Sequence, residues 1–321
     1  MRTCAVAAVM SMLLISANAS AQTDTTKKLK EVTVKSSLIP QVQGVVPAQR
    51  IQAADFAKYS AFNVADVVRG FSGVILKDYG GIGGLKTISV RGLSANHTAV
   101  LYDGIQVNDA ENGQVDLSKL NLNNIQDITL YIGQPAEICM PARSFASSSV
   151  LAITTVKPML TSAKPYHVTA GVKAGSFGLI NPYLQWQQRI TERWSFIANG
   201  YTENANGRYK YKTADHPDSL RTRNNGDIAA QQADGALYWT KNDSNKFNLR
   251  VNYYNADRGI PGAVVLYNPT VSRARLWNKD FFSQAGYEKR FDNRLHLLVN
   301  AKFSRNFLRY ADPDFLNSNG G

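Results

Sequence analysis

The chain has 321 residues, 44% hydrophobic and 19% charged, with a formal net charge of +12. This balance excludes a disordered chain, and no apolar run past the N-terminus reaches the roughly 18 residues that a membrane-spanning helix needs. The length allows two domains, and the surplus Lys and Arg are scattered among polar positions without a patch or basic helix, so nucleic acid is not an expected partner.

Met1 to Ala21 has the form of a secretory signal: Arg2 carries the positive charge, Ala5 to Ile15 is the apolar core, and Ala19-Ser20-Ala21 fits small-x-small cleavage before Gln22. Ala17-Asn18-Ala19 is the alternative cleavage site. Cys4 precedes the apolar core, which leaves Cys139 alone in the mature chain, and one thiol makes neither an internal disulfide nor a zinc cluster. Residues 22–47 read as a tail: a polar stretch to Lys28, an alternating run Leu29-Lys30-Glu31-Val32-Thr33-Val34-Lys35, and a linker from Ser36 to Pro47. The alternating run has strand propensity but no neighbouring strand in sequence. It therefore either pairs with the following domain or is offered to another protein as an added strand.

Residues 48–158 read as a compact α+β unit with glycines at its corners. Gln49-Arg50-Ile51 predicts a short strand. Ser60 is the expected N-cap of a helix whose apolar face is Val64, Val67, Val68 and Phe71, ended by Gly70 or Gly73. Val74 to Leu76, Thr87 to Val90, Ala99 to Tyr102, Ile105 to Val107, Ile125 to Tyr131 and Val150 to Val156 are the expected strands, with Leu117 to Leu122 an irregular run. Gly80 to Gly84 lacks the Gly-Lys-Ser/Thr and the helix of a phosphate loop and is expected to be a flexible turn. Asp103-Gly104 is a turn signal, so Asp103 is read as a turn residue rather than an acid catalyst. His97, His167, His216 and His296 have no ligand spacing, and no catalytic dyad or metal set stands out.

The order of the helix with its Gly-Val end, Val90-Arg91-Gly92, Tyr102-Asp103-Gly104 and Ile132-Gly133-Gln134-Pro135-Ala136 resembles the plug domain of TonB-dependent outer-membrane receptors. One departure is Met140 to Ser149, which stands where the family commonly has a glycine-rich run. The resemblance makes Leu29, Lys30, Glu31, Val32, Thr33 and Val34 the TonB-binding box and residues 48–158 the plug. It implies that Arg91 latches plug to barrel through an acid expected beyond residue 321.

After Pro165 the period changes to two. Val168, Ala170, Val172 and Ala174 alternate with Thr169, Gly171, Lys173 and Gly175, and Ile180, Leu184, Trp186 and Ile190 oppose Tyr183, Gln185, Gln187 and Arg189. Phe247, Leu249, Val251 and Tyr253 oppose Asn248, Arg250, Asn252 and Tyr254, while Leu295, Leu297, Val299, Ala301 and Phe303 form a further face. With Trp194 to Glu203, Ala230 to Thr240 and Phe281 to Phe291, the pattern predicts seven strands. Such alternation is the transmembrane-barrel signature, apolar toward lipid and polar toward the lumen, and Trp186, Trp194, Trp239 and Tyr253 fit an aromatic girdle. Asn242 to Asn245 is an expected tight turn, while Gly207 to Asp227 and Gly259 to Ser272 are expected long loops.

The expected fold is thus an α+β plug followed, over residues 159–321, by an antiparallel transmembrane β-barrel incomplete in this chain, about seven strands of the 22 that the resemblance implies. An open sheet edge in lipid leaves backbone groups unpaired, so the expectation is an N-terminal fragment of a longer receptor or an incomplete gene. The resemblance implies active import of a scarce ligand across the outer membrane of a Gram-negative bacterium, with plug and box facing the periplasm. The implied partners are TonB with its inner-membrane energising complex, outer-membrane lipid and the transported small molecule. No covalent chemistry, cofactor or metal is implied. Gln22 to Lys28 leaves no room for a folded domain ahead of the box. The segments Asp257 to Val264 and Arg275 to Asn278 resemble cobalamin-type or siderophore-type receptors, with cobalamin ranked first. A passive porin or adhesin barrel and a soluble periplasmic binding module are the alternatives.

Overall fold

The computed structural model describes residues 48–107, 113–135, 139–213, 216–262, 264, 272–292 and 294–315. The signal and the Leu29 to Val34 run lie outside the described residues, and the described residues fall in one compact unit.

The first part is built on strands β1 (Ala48–Gln52), β2 (Val74–Asp78), β3 (Lys86–Val90), β4 (Thr98–Tyr102), β5 (Ile105–Val107), β6 (Ile125–Ile132) and β7 (Ser149–Thr155). Five of them make a mixed sheet in the order β1-β6-β7-β4-β5, in which β4 and β7 run parallel, and β2 and β3 form a separate hairpin. Helix α1 (Val64–Val68) packs on this sheet. Val64, Val67, Val68 and Phe71 are buried with Ile128, Leu130, Leu151 and Ile153, so the apolar spacing reads the core correctly.

The helix cap is a correction. Asn63, not Ser60, caps α1: its side chain accepts the Asp66 N–H at 3.2 Å, and the Asp66 carboxylate accepts the Asn63 N–H at 3.4 Å. This reciprocal box needs an extended backbone at the cap. Asn63 has it, at φ −134° and ψ 174°, whereas Ser60 sits left-handed at φ +48°, closing a preceding 3-10 turn over Ala53–Tyr59. A short helix α2 (Ala142–Phe145) occupies the segment where the sequence departs from the glycine-rich pattern. The Asp103-Gly104 turn forms as expected, both residues left-handed at φ +50° and +78°.

The glycine run is the second correction, because it is a packed corner and not a flexible turn. A Cβ on Gly84 would lie 2.5 Å from the Gly80 nitrogen, and one on Gly83 would lie 2.9 Å from the Asp227 carbonyl. The glycines are there because backbone passes against backbone.

The second part consists of β8 (Tyr166–Gly175), β9 (Leu179–Arg189), β10 (Trp194–Ala205), β11 (Tyr209–Thr213), β12 (His216–Arg223), β13 (Ile228–Asn242), β14 (Asn245–Gly259), β15 (Arg275–Arg290) and β16 (His296–Ala311). Seven of these form one antiparallel sheet in the order β16-β15-β14-β13-β10-β9-β8, which among the described residues does not close on itself. Seven strands match the sequence expectation, but the last four are longer than the alternation suggested: Arg275 to Asn278, ahead of the expected strand Phe281 to Phe291, pairs with β14 and β16. The stretch from Gly207 to Asp227, read as loop, contains the β11–β12 hairpin, because Tyr209 to Arg223 pairs locally as a two-stranded sheet of its own. Asp243-Ser244 makes the expected tight turn between β13 and β14.

Burial in this sheet runs opposite to that of a soluble sandwich. On β9, Ile180, Leu184 and Trp186 are exposed, Leu184 by 52%, while Asn181, Gln185 and Gln187 between them are buried, Gln185 to 6%. On β14, Leu249, Val251 and Tyr253 are exposed, and Arg250, Asn252 and Tyr254 are buried. The polar face meets the first domain, and the apolar face looks outward. By contrast, the core of the first domain is conventional. Ile128→Ala, at a fully buried position, is expected to cost about 2–5 kcal/mol, read as a shifted denaturant midpoint; a change under about 0.5 kcal/mol would mean that this core is not packed as described.

Candidate functional site

The two domains meet across a polar interface, and its centre is Arg250. Alternation along β14 turns this side chain to the inner face, between outward Leu249 and Val251. Its Nη1 pairs with Asp234 of β13. Its Nε lies 3.2 Å from the Asp103 carboxylate, and its Nη2 donates to the Thr155 hydroxyl at 2.6 Å and to the Tyr238 hydroxyl at 3.0 Å. The guanidinium also lies over the Tyr102 ring, 5.6 Å from its centroid. Asp103 is fixed in turn by Thr155, whose N–H and hydroxyl both donate to it at 2.8 Å. One sheet arginine thus grips the β4–β5 turn and the end of β7 together.

Asp234 is the counterpart. It accepts from Asn199 at 2.9 Å, from Asn252 at 3.2 Å and, across the interface, from Asn124 at 3.1 Å. Asn124 also donates to the Tyr102 hydroxyl at 3.0 Å. Burial, with Asp234 nearby, holds that phenol far above its usual ionisation range, so it stays neutral.

A second contact lies along β14. Arg258 pairs with Asp116 at 2.9 Å and donates to Asn278 at 2.6 Å. Asp116 also accepts the Lys86 N–H at 3.1 Å and the Ser118 hydroxyl at 2.6 Å. Burial alone would raise the Asp116 pKa, but Arg258, Lys119 and these hydrogen bonds outweigh it and hold the carboxyl below its ordinary value. Lys119 pairs with Asp280 at 2.8 Å, Gln185 donates to the Asn123 carbonyl at 2.9 Å, and Lys302 donates to the Gln106 carbonyl at 2.9 Å. Strands β9, β13, β14, β15 and β16 therefore all hold the first domain.

Residues 40–138 match the family model described as the TonB-dependent receptor plug domain. The chain carries a TonB-dependent receptor plug domain. The whole fold is similar to the ferric citrate transporter FecA in its unliganded form, at 18% identity and a TM-score of 0.64, covering 84% of this chain and 41% of that one. It is also similar to a variant of the ferric enterobactin receptor PfeA from Pseudomonas aeruginosa (16% identity, TM-score 0.57, 82% of this chain and 41% of that one). A third likeness is the siderophore receptor PirA from Acinetobacter baumannii, at 17% identity and a TM-score of 0.54, covering 81% of this chain and 40% of that one. The chain spans about two fifths of the length of the structures it matches.

Of the residues singled out in sequence, Arg91 is exposed, left-handed at φ +50°, and held through its N–H to the Gly73 carbonyl at 2.8 Å. It has no ion pair among the described residues, and the described plug-to-sheet pairs run through Arg250, Arg258 and Lys119 instead. Sequence reading missed these and Asp234, and it saw only the turn role of Asp103. The available signal was a charged residue on the polar face of an alternating strand, as in Leu249-Arg250-Val251.

Arg250→Ala leaves Asp234 and Asp103 without their cation and is expected to destabilise the plug–sheet contact by about 3–5 kcal/mol, read as earlier proteolysis of the plug under denaturant. Adding Asp234→Ala should recover part of the loss; strict additivity in the double variant would show that the two residues do not act as a pair. Asp116 has a lower pKa folded than unfolded, so its stabilisation is complete above the unfolded value near 4 and is lost as pH falls through the depressed folded value. The stability gap between wild type and Asp116→Asn should be flat from about pH 5 to 8 and narrow below about pH 4; a gap that stays constant at lower pH would contradict this.

Proposed function

We propose that this chain acts in energy-coupled import across a bacterial outer membrane. The seven-stranded sheet lies in the membrane with its apolar face toward lipid, and the plug fills its inner side. The observation that carries this reading is the reversed burial: exposed Ile180, Leu184, Trp186, Val251 and Phe303 on one face, and buried Gln185, Asp234, Arg250 and Asn252 against the plug on the other. An exposed apolar face of this extent needs a hydrocarbon partner. The plug-domain match supports transport rather than covalent chemistry.

In this reading residues 1–21 are the export signal, and Leu29, Lys30, Glu31, Val32, Thr33 and Val34 are the box that TonB pairs with as an added strand in the periplasm. The energised complex of the inner membrane then pulls on the plug. Arg91 remains a proposed latch whose acid lies outside the described residues. The ligand is a scarce chelate. At 16–18% identity the similar structures carry the fold and not the ligand, so cobalamin and ferric siderophore are both kept.

Deleting Leu29 to Val34 from the receptor that carries this chain, expressed in cells lacking other receptors for the two compounds, is expected to abolish accumulation of labelled cobalamin or of a ferric catecholate while leaving surface binding intact. Unchanged accumulation would instead favour a passive barrel. A chain that stays soluble without detergent would remove the membrane assignment.

A further inference from the structure

Along the outward face of β14, β15 and β16, apolar residues run from Phe247, Tyr287 and Val299 to Tyr253 and Phe281 and then give way. The next side chains on the same face are Arg305, paired across from Phe281, Lys279, paired across from Phe307, and Arg309, paired across from Trp277. Lys279 and Arg305, with Tyr253, Phe281 and Phe307, line a groove of ≈ 330 Å³. Arg309 lies over the Trp277 ring, 5.2 Å from its centroid. These cations stand at the end of the sheet that carries the β11–β12 hairpin and the 260–274 connection, away from the short turns at Ile190 to Arg193 and Asp243-Ser244.

The acids around them are engaged. Asp257 and Asp227 are both held by Arg275, at 2.6 and 2.8 Å. Asp314 is held by Arg273 at 2.6 Å, Asp312 accepts from the Tyr310 hydroxyl at 3.3 Å, and Asp280 faces the plug and pairs with Lys119. Lys279, Arg305 and Arg309 have no carboxylate partner among the described residues.

We propose that this groove binds the phosphate of an anionic membrane lipid, whose acyl chains lie down the apolar rows through Phe303, Phe281 and Val251. The proposal rests on the membrane reading of the sheet. A cation on a lipid-facing surface is costly at the membrane midplane and tolerated at its boundary. Lys279 and Arg305 on the walls of an aromatic groove at the margin of an apolar band, with Arg309 one row beyond, match an anionic headgroup above hydrocarbon tails. Arginine also supplies the forked donor geometry that suits phosphate oxygens.

The test uses the receptor that carries this chain, in detergent micelles, with native mass spectrometry of retained dioleoyl phosphatidylglycerol against dioleoyl phosphatidylcholine. Each cation near an anionic surface contributes roughly fivefold in affinity. The triple variant Lys279→Gln, Arg305→Gln, Arg309→Gln should therefore retain phosphatidylglycerol about 100-fold less well. The charge-matched control Lys58→Gln, Lys77→Gln, Lys157→Gln, at exposed positions of the plug, should match wild type. Should the triple variant lose its strand circular dichroism, Arg305→Gln and the wild-type preference between the two lipids carry the test. Equal retention of both lipids, equal retention by triple variant and control, or displacement by excess inorganic phosphate would each overturn the lipid site. If the chain needs no detergent at all, the membrane reading fails first, and that outcome is separate from the other three.

Discussion

The structure depends on one arginine that has no access to water. Arg250 lies inside the contact between sheet and plug, and its charge is balanced by Asp234 on one side and Asp103 on the other. Removing a guanidinium and two carboxylates from water is expensive, and pairing them recovers that cost only if geometry is good and the remaining donors are met. Thr155, Tyr238, Asn124, Asn199 and Asn252 meet them. Such a cluster contributes less to net stability than to position: it tolerates one seating of the plug, because any other would leave buried charge unpaired. A buried ion pair as a device for register is the best-attested use of this arrangement.

Two kinds of interior follow from this. The plug has an apolar core of its own, in which Val64, Val68, Ile128, Leu151 and Ile153 are closed off from solvent. The contact between plug and sheet is mostly polar, with a smaller apolar contribution in which Phe62 and Ile82 pack against Leu179, Ala205, Ile228, Tyr254 and Ala256. Groups that hydrogen-bond across a boundary can be met by water when the boundary opens, whereas separated apolar cores cannot. A plug held this way can be displaced without the plug core being the first thing to fail.

The outer surface is the converse of the inner one. Because side chains on a strand alternate, the same backbone that delivers Arg250 and Asn252 to the plug delivers Leu249, Val251 and Tyr253 outward. The glycine corner shows the same economy at the plug rim, where Gly83 lets the loop approach the carbonyl of Asp227 and brings it to the sheet near Arg258.

Period and composition alone were enough for the two-part organisation, the apolar face of α1, the Asp103-Gly104 turn and seven strands with opposite faces, because each depends on neighbours a few residues apart. The cap of α1 is legible in principle, since Asn63 and Asp66 stand at the box spacing, but the left-handed backbone that disqualifies Ser60 leaves no mark in the sequence. The extra length of β15 and the β11–β12 hairpin were hidden in polar sequence, since strand pairing there is decided by partners and not by propensity. The site itself was decided only by tertiary structure. Asp103, Asp116, Asp234, Arg250 and Arg258 are ordinary polar residues until the chain is folded, and Asp103 and Arg250 are 147 positions apart in numbering. Local pattern can say that a charge faces inward, but only the seating of the plug decides which charge it meets.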